Sequence, residues 1–269
     1  MAEAGTSSPA RLISLLCDER LSGGELAAKI EAHPVLAARV LQVANSPYYG
    51  QVKSVGTIKR ALQLLGLNAI RGIAAAAFID QVIPRRIATL PDTPLLLRHS
   101  LATAIVCERL AGRVDPLLAP DAFIAGLIHN LGTVVQASLD PSGTAAIIAA
   151  RAADPSGSIR SLEKEHCQLH HEDCGGVLFD AWQLPDSLVS VAMHHHEPDD
   201  APESHRRLVG LVWAGASLAL SCANTFSLEP AAASLDYGKM LALGLHRPDI
   251  DAVAAELPER VDLLSRALT

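Results

Sequence analysis

The chain has 269 residues, of which 49% are hydrophobic and 19% are charged, so it can bury a globular core. Its net charge of −7 and its aromatic content of 3% argue against nucleic-acid binding, which uses clustered basic residues and stacking platforms. No apolar run approaches the roughly 18 residues that a membrane-spanning helix needs. We therefore predict neither a nucleic-acid partner nor a membrane partner.

The cysteines predict a reduced, cytoplasmic protein. They are odd in number and lack C-x-x-C spacing, which does not favour a disulfide framework. The first twenty residues also lack the basic, apolar and small-residue order of a secretion signal. The five positions are Cys17, Cys107, Cys167, Cys174 and Cys222.

The first third of the chain predicts a compact bundle of short helices. Pro34 stands at a first helical position, and Thr57 is placed to cap the N-terminus of a later helix. Gly66 is expected just past the end of that helix, and Asn68 is expected to cap the next one. The three prolines of residues 82–94 then mark a change of unit.

Longer helices are predicted after these prolines, including LLLRHSLATAIVCERLAG and a single helix over DAFIAGLIHNLGTVVQAS. Strand-type alternation is absent, so the predicted fold class is all-α. We divide the chain into an N-terminal helical part, a second helical part that carries most histidines, and a C-terminal helical tail. The boundaries are residues 1–92, 93–228 and 229–269.

Histidine is concentrated in the second part, where eight of the eleven histidines lie between residues 99 and 196. Imidazole is a common metal ligand, and donors from separate helices can converge inside a bundle. Adjacent residues on a helix point about 100° apart, so His195 and His196 are predicted to serve different ions, or one to face solvent. For His166 and His170 we expect ordinary surface positions. The eight are His99, His129, His166, His170, His171, His194, His195 and His196.

The stretch GLIHNLGTVV places His129 beside Asn130, between Gly126 and Gly132. One interpretation is a polar pair that is satisfied inside a helical core. The other is a metal site in which an amide occupies the position of a carboxylate. The spacing of these residues does not choose between the two.

The chain resembles the HDOD family, which is related to the HD-domain metal-dependent phosphohydrolases and to the HD-GYP cyclic-dinucleotide phosphodiesterases. The first half carries HPVLAARVLQVANSPYYG and VGTIKRALQLLGLNAIRGI; the second carries LRHSLATAIVCERLA, AGLIHNLGTVV and HHEDCGGVLFDAWQLPDSLVSVAMHHHEP. The resemblance covers residues 20–225. It implies a multi-helix HD-like bundle joined to an N-terminal HDOD-type bundle, with a role in bacterial signal transduction.

When the HD-GYP ligand pattern is carried over to this sequence, the resemblance implies six metal-ligand positions, but three family positions hold other residues. Asn130 stands where the bridging aspartate is expected, Gly215 where the closing aspartate is expected, and Thr133 where active relatives usually have a lysine. An amide offers one neutral oxygen, so a two-metal centre would be under-ligated, and we predict no catalytic residue. The six positions are His99, His129, Asn130, His171, His195 and His196.

The histidine-rich set favours Zn²⁺, Ni²⁺ or Fe²⁺ over Mg²⁺ or Ca²⁺. Glu172, Asp173 or Glu197 is a candidate source of one missing carboxylate, and Cys174 is a less favoured ligand. The alternative is a buried polar cluster in which the histidines bond one another, Asn130 and backbone carbonyls without a metal.

Three functions remain open at this point. The leading hypothesis is a non-catalytic HDOD module that binds or scaffolds a signalling protein partner. The alternative is a metal-dependent phosphohydrolase or phosphodiesterase of the HD superfamily with altered ligands. The third is a sensor of a metal or a cyclic dinucleotide without turnover. An anionic ligand would be sought at a mildly basic face formed by Lys53, Lys59, Arg60 and Arg71.

Overall fold

The structure is a computed structural model that describes residues 14–16, 18, 20–50, 54–87, 93–155, 157–222, 228 and 235–268, with side chains except at 78–87 and 93–94. This described part is 79% helical and holds fourteen α-helices and no strand, which confirms the all-α prediction.

The helices are short in the first bundle and longer around the centre of the molecule. The first five are α1 (Gly23–Glu31), α2 (Pro34–Ala44), α3 (Ile58–Leu65), α4 (Leu67–Ile87) and α5 (Thr93–Val114). The next five are α6 (Ala119–Ile128), α7 (Leu131–Leu139), α8 (Pro141–Ala153), α9 (Ile159–His166) and α10 (His171–Ala181). The last four are α11 (Asp186–His194), α12 (Glu203–Ser221), α13 (Tyr237–Ala242) and α14 (Arg247–Leu268).

Local capping chemistry sets the helices of the first bundle. The Thr57 hydroxyl accepts the backbone N–H of Arg60 at 3.1 Å, which confirms Thr57 as the N-cap of α3. Gly66 follows the end of α3 with φ +84°, a left-handed conformation that a glycine adopts without a steric cost. The predicted cap at Asn68 is wrong, because α4 begins at Leu67, directly after Gly66.

Helix α5 lies at the centre of the bundle and packs against α4, α6, α12 and α14. Arg98 and Arg109 of α5 bond Asp262 and Glu256 of α14, each at 2.8 Å, so the last helix lies along α5. Helix α14 also contacts α2 of the first bundle. The buried apolar side chains of the described residues form one contiguous cluster across these helices.

The predicted single helix over residues 121–138 is wrong, because it divides into α6 and α7 at His129 and Asn130. Nδ1 of His129 lies 2.7 Å from the carbonyl oxygen of Gly126, so this side chain bonds the last turn of α6. Asn130 has φ −98° and ψ 13°, outside the helical range, and its carbonyl accepts the N–H of Thr133 at 3.1 Å. The sequence pair His-Asn therefore forms a turn in the core.

The two glycines that flank this turn allow two other helices to approach it. A Cβ atom at Gly126 would lie 3.0 Å from Cα of Ala104 in α5. A Cβ atom at Gly132 would overlap the carbonyl oxygen of His171 and lie 2.6 Å from the amide nitrogen of Gly175 in α10. The absence of a side chain at both positions brings α5 and α10 to either side of His129.

By length and composition alone, residues Pro116–Leu139 could cross a membrane, although no apolar run near the required length is expected from the sequence. That expectation counted uninterrupted apolar residues, whereas a window average tolerates polar residues such as Asp121 and Asn130. The most apolar window is 83% buried inside the protein, as in the core helix of a globular protein.

Candidate metal centre

Three histidines bring their ligand atoms together at the ends of two helices. Nε2 of His171 lies 3.2 Å from Nε2 of His195 and 3.1 Å from Nε2 of His196. All three ligand atoms lie within 4.8 Å of one another. His171 is the first residue of α10, whereas His195 and His196 follow the last residue of α11.

This convergence corrects the expectation that His195 and His196 point to different ions. The 100° rule holds for two residues inside a helix, but α11 ends at His194 and His195 is its C-cap. His195 still has helical dihedrals, φ −64° and ψ −18°, but the chain bends at His195 and His196, and both imidazoles face His171.

His99 and His129 extend these three histidines into a continuous row. The His129 ring lies 5.1 Å from the ring of His195 and 5.4 Å from the ring of His99, measured between centroids. Both side chains are at most 1% exposed, and Asn130 is 2% exposed in the turn between α6 and α7. The structure thus brings five predicted histidines together, and His171, His195 and His196 form the convergent set found among the described residues.

The hydrogen bonds of His171 and His195 indicate which ring nitrogen can bind a cation. Nδ1 of His195 lies 3.1 Å and 3.0 Å from the carbonyl oxygens of Val191 and Ala192, which only accept. Nδ1 of His171 lies 2.6 Å from a carboxylate oxygen of Glu163. Both Nδ1 atoms therefore carry the proton in the neutral rings, and each Nε2 presents a lone pair.

Two lone pairs 3.2 Å apart repel each other unless a proton or a cation lies between them. With metal–nitrogen distances of 2.0–2.1 Å, neighbouring nitrogens would be about 2.8–3.0 Å apart in an octahedral site and about 3.3–3.4 Å apart in a tetrahedral site. The observed 3.1 Å and 3.2 Å fall between these values. Two of the three nitrogen pairs therefore match the spacing around one transition-metal ion, and all three ligand atoms lie within 4.8 Å of one another.

Glu163 of α9 supports His171 from behind, and the sequence analysis missed it. Its Oε1 contacts Nδ1 of His171 and accepts a hydrogen bond from Nε2 of Gln136 at 3.0 Å, while its Oε2 lies 3.3 Å from Nδ1 of His170. Burial opposes ionisation, but the hydrogen bonds from His171, Gln136 and His170 outweigh it and hold the pKa of Glu163 below its usual value. This carboxylate orients the ring of His171 and offsets positive charge nearby.

The three carboxylates suggested from the sequence lie elsewhere. Glu172 is buried and bonds Nε of Arg160 at 2.7 Å, and Asp173 and Glu197 are exposed. Cys174 is a buried free thiol outside the convergent set, Cys107 and Cys167 are also buried free thiols, and Cys222 is likewise outside that set. Cys17 lies outside the described residues.

Gly215 of α12, where an aspartate was expected, packs against Cys107 of α5. A Cβ atom there would overlap Sγ of Cys107 and lie 3.4 Å from the carbonyl oxygen of Thr103. The space that a carboxylate would need is therefore filled by a thiol.

The suggested basic face does not form an anion site around Arg71. This side chain is buried and donates to the backbone carbonyls of Asp18 and Leu21 at 2.6 Å and 3.2 Å, so it joins two segments of the first bundle. Lys59 and Arg60 are exposed, and Lys53 lies outside the described residues.

An all-α bundle with a buried row of histidines from separate helices has the architecture expected of an HD-type protein. The HDOD domain model matches residues 6–198, and the chain belongs to the HDOD family. An uncharacterized protein of Treponema pallidum is 26% identical over 192 residues, which are 70% of this chain and 36% of that relative. The chain therefore matches little more than a third of the relative's length.

Solved structures share the fold at low sequence identity. An HDOD domain protein of unknown function from Geobacter sulfurreducens has a TM-score of 0.77 at 21% identity, over 97% of this chain and 90% of that one. A candidate phosphohydrolase from Shewanella amazonensis has a TM-score of 0.76 at 24% identity, over 97% and 93%. A candidate signal transduction protein from Marinobacter aquaeolei has a TM-score of 0.75 at 21% identity, over 97% and 57%.

Proposed function

We propose that this protein is a non-catalytic HDOD signal-transduction module of the cytoplasm that binds one transition-metal ion and scaffolds a signalling protein partner. The observation that carries the proposal is a set of three imidazole ligands, buried at His171 and His195 and part-buried at His196, that no carboxylate joins among the described residues.

The burial of this site favours a structural or sensory ion over catalysis. Three imidazoles leave at least one coordination position open, as catalytic sites do, so it is burial, and not the number of ligands, that disfavours catalysis. His171 and His195 are each 1% exposed, and His196 is part-buried. A phosphodiester would have to displace packed side chains to reach the ion.

The groups that hydrolysis requires are also absent from their expected positions. Asn130 supplies an amide in place of a bridging carboxylate, and Gly215 packs against Cys107. Thr133 places a neutral, fully buried hydroxyl where active relatives usually have a cation for the phosphate. Without these charges, the site cannot activate a water between two ions by the mechanism of active relatives.

A bound ion would join the start of α10 to the end of α11. Neutral imidazoles favour Zn²⁺, Ni²⁺ or Fe²⁺ over Mg²⁺ or Ca²⁺. Glu163, hydrogen-bonded to His171, would balance part of the ion's charge. Metal binding would then stabilise one arrangement of these two helices, which a signalling protein partner could recognise.

Elemental analysis of protein purified without a chelator tests the metal site. We expect close to one equivalent of zinc, nickel or iron in the wild type and its loss in His171→Ala. The matched control is His194→Ala, the neighbouring histidine at the end of α11, which is outside the convergent set and should keep the metal. Equal metal content in the wild type and His171→Ala would contradict this site, and absence of metal from both would indicate that the histidines form only a polar cluster.

A metal-dependent phosphohydrolase with altered ligands is the second candidate. His99 and His129 favour it, since they continue the histidine row and could hold a second ion. Its test is hydrolysis of a cyclic dinucleotide and of a generic phosphodiester by the wild type and by Asn130→Asp. Turnover above that of His129→Ala would support the enzyme and contradict our proposal.

Calorimetry distinguishes a sensor of a metal from a sensor of a cyclic dinucleotide. Titration with Zn²⁺ and Ni²⁺ tests whether the protein binds a metal, and titration with a cyclic dinucleotide tests whether it binds that nucleotide. We expect binding of a metal; absence of both kinds of binding would leave scaffolding as the only function in this class.

A further inference from the structure

A separate cavity of about 530 Å³ opens between the turn after α2, the C-terminal half of α5 and the helix α14. This volume lies within the roughly 300–1,000 Å³ of sites that bind small molecules. Besides Gly112, its lining consists of Tyr48, Tyr49, Glu108, Arg109, Arg113 and Arg260.

The polar lining is held in place by Glu256 behind it and by contacts among its own side chains. Arg109 and Arg260 both bond the same carboxylate oxygen of Glu256, at 2.8 Å and 3.0 Å. The guanidinium of Arg260 lies 5.7 Å from the ring centroid of Tyr48, and the rings of Tyr48 and Tyr49 meet edge to face at 4.8 Å. These groups therefore need little reorganisation to receive a ligand.

Hydrogen-bond donors predominate in this lining. The lining contains three guanidinium groups and two phenols, but only one carboxylate, that of Glu108. Burial raises the pKa of Tyr48 to about 12, so its hydroxyl keeps its proton at neutral pH. Each arginine carries five N–H donors, and the bonds to Glu256 use only part of them.

Acidic residues near the cavity reduce the long-range attraction of its arginines for an anion. Glu256 pairs with Arg109 and Arg260, and Asp249 lies 3.8 Å from Arg113, so the long-range field is weak. Selection would rest on direct hydrogen bonds from planar guanidinium groups, which match the oxygens of phosphate. The two aromatic side chains provide apolar surface for a flat ring.

We infer that this cavity binds a phosphorylated small molecule with a planar ring, of about the size of a nucleoside monophosphate. Arg113 and its two neighbouring arginines bind the phosphate, and the tyrosines pack against the ring. The site is distinct from the histidine row, because Arg109 follows His99 by ten residues in α5, or about 15 Å along the helix.

Calorimetry with the four common nucleoside 5′-monophosphates, and with adenosine as the uncharged probe, tests this inference on the full chain. We expect at least one monophosphate to bind the wild type, and adenosine to bind about tenfold more weakly or worse, since it lacks the charge-assisted hydrogen bonds of the phosphate. Lack of binding by all four at millimolar concentration, or equal affinity for adenosine, overturns the inference.

Two arginine variants locate the binding. Arg113→Gln should weaken the monophosphate about tenfold, and this half-exposed side chain is replaced without opening the core. Arg247→Gln is the matched control, because Arg247 is an exposed arginine of α14 that contacts Tyr237 outside the cavity. Unchanged affinity in Arg113→Gln contradicts the site, as does equal weakening in both variants. His171→Ala should bind the monophosphate like the wild type, which separates this inference from the metal proposal.

Discussion

The two ends of helix α5 present opposite chemistry. Near its start, His99 belongs to a buried row of imidazoles. In this row, the Nε2 atoms of His171 and His195 face each other and present lone pairs. Toward its end, Arg109 and Arg113 line an open cavity rich in N–H and O–H donors. The first arrangement suits a cation that stays bound, and the second suits an anion that exchanges with solvent. One rigid helix can therefore carry two sites that select ligands of opposite charge.

The largest effect on the histidine end is expected from a substitution at Gly132, because main-chain contact at this residue positions His171. Gly132→Ala would place a methyl group on the carbonyl oxygen of His171. We expect the free energy of unfolding to fall by about 3 kcal/mol or more, with loss of metal, measured by urea denaturation and elemental analysis.

Gly24→Ala in α1 is the control for this change, since a Cβ atom there meets nothing within 4 Å. It should keep the metal and be neutral or slightly stabilising, by up to about 1 kcal/mol. If both alanine variants behave alike, the close approach of α7 and α10 does not position the site.

Adding a carboxylate at Gly215 tests why no carboxylate joins the three histidines as a ligand. Gly215→Asp should reduce the free energy of unfolding by about 2 kcal/mol, because the new side chain overlaps Sγ of Cys107. Cys107→Ala removes that overlap, so the double variant should be more stable than the sum of the single changes by about 1 kcal/mol. Strictly additive values, measured by urea denaturation, would show that the thiol does not compete for this space.

A smaller effect is expected at Glu163, which contacts His171 but belongs to neither ligand set. Glu163→Gln keeps the shape and removes the charge, so the affinity for Zn²⁺ should fall about tenfold or more in a chelator competition assay. Glu165→Gln changes an exposed carboxylate of the same helix and serves as the control. Equal affinities in the two variants would contradict a role for Glu163 at the metal.

The smallest effect concerns Glu108 in the cavity. Burial raises the pKa of this carboxyl group above its ordinary value, so the folded protein holds the proton more tightly than the unfolded chain does. Its stabilising contribution is present below the unfolded pKa and is lost as pH rises through the folded pKa.

Glu108→Gln removes this dependence. The difference in unfolding free energy, variant minus wild type, should therefore become more positive as the pH is raised from about 4 to about 7. Glu259→Gln, an exposed change on α14, should show no such trend. A difference that stays constant with pH would contradict the role assigned to burial.

Local chemistry made much of the fold predictable. Thr57 and Gly66 act within one helical turn, and both positions are confirmed. The turn at His129 and Asn130 was missed because it depends on the bond from His129 to Gly126 and on the packing of Gly132 against α10. An apolar pattern does not contain these contacts.

The histidine positions came from the resemblance, but their geometry did not. His195 and His196 converge because α11 ends at His194, and Pro198 was the available signal, since a proline disfavours helix in the residue before it. Glu163 gave only a weak signal, a carboxylate four residues after the buried Ile159 on α9. Its partners, Gln136 and His171, come from other helices, so its role appears only in three dimensions.

The burial of residues Pro116–Leu139 has a consequence for synthesis. This apolar stretch leaves the ribosome before the helices that later cover it, because α10 begins at residue 171 and α12 ends at residue 221. Until those helices follow, a segment apolar enough to enter a membrane has only earlier helices to cover it. We therefore expect the nascent chain to expose part of this apolar surface, and shielding by a chaperone to matter most, while residues 140–221 are being translated.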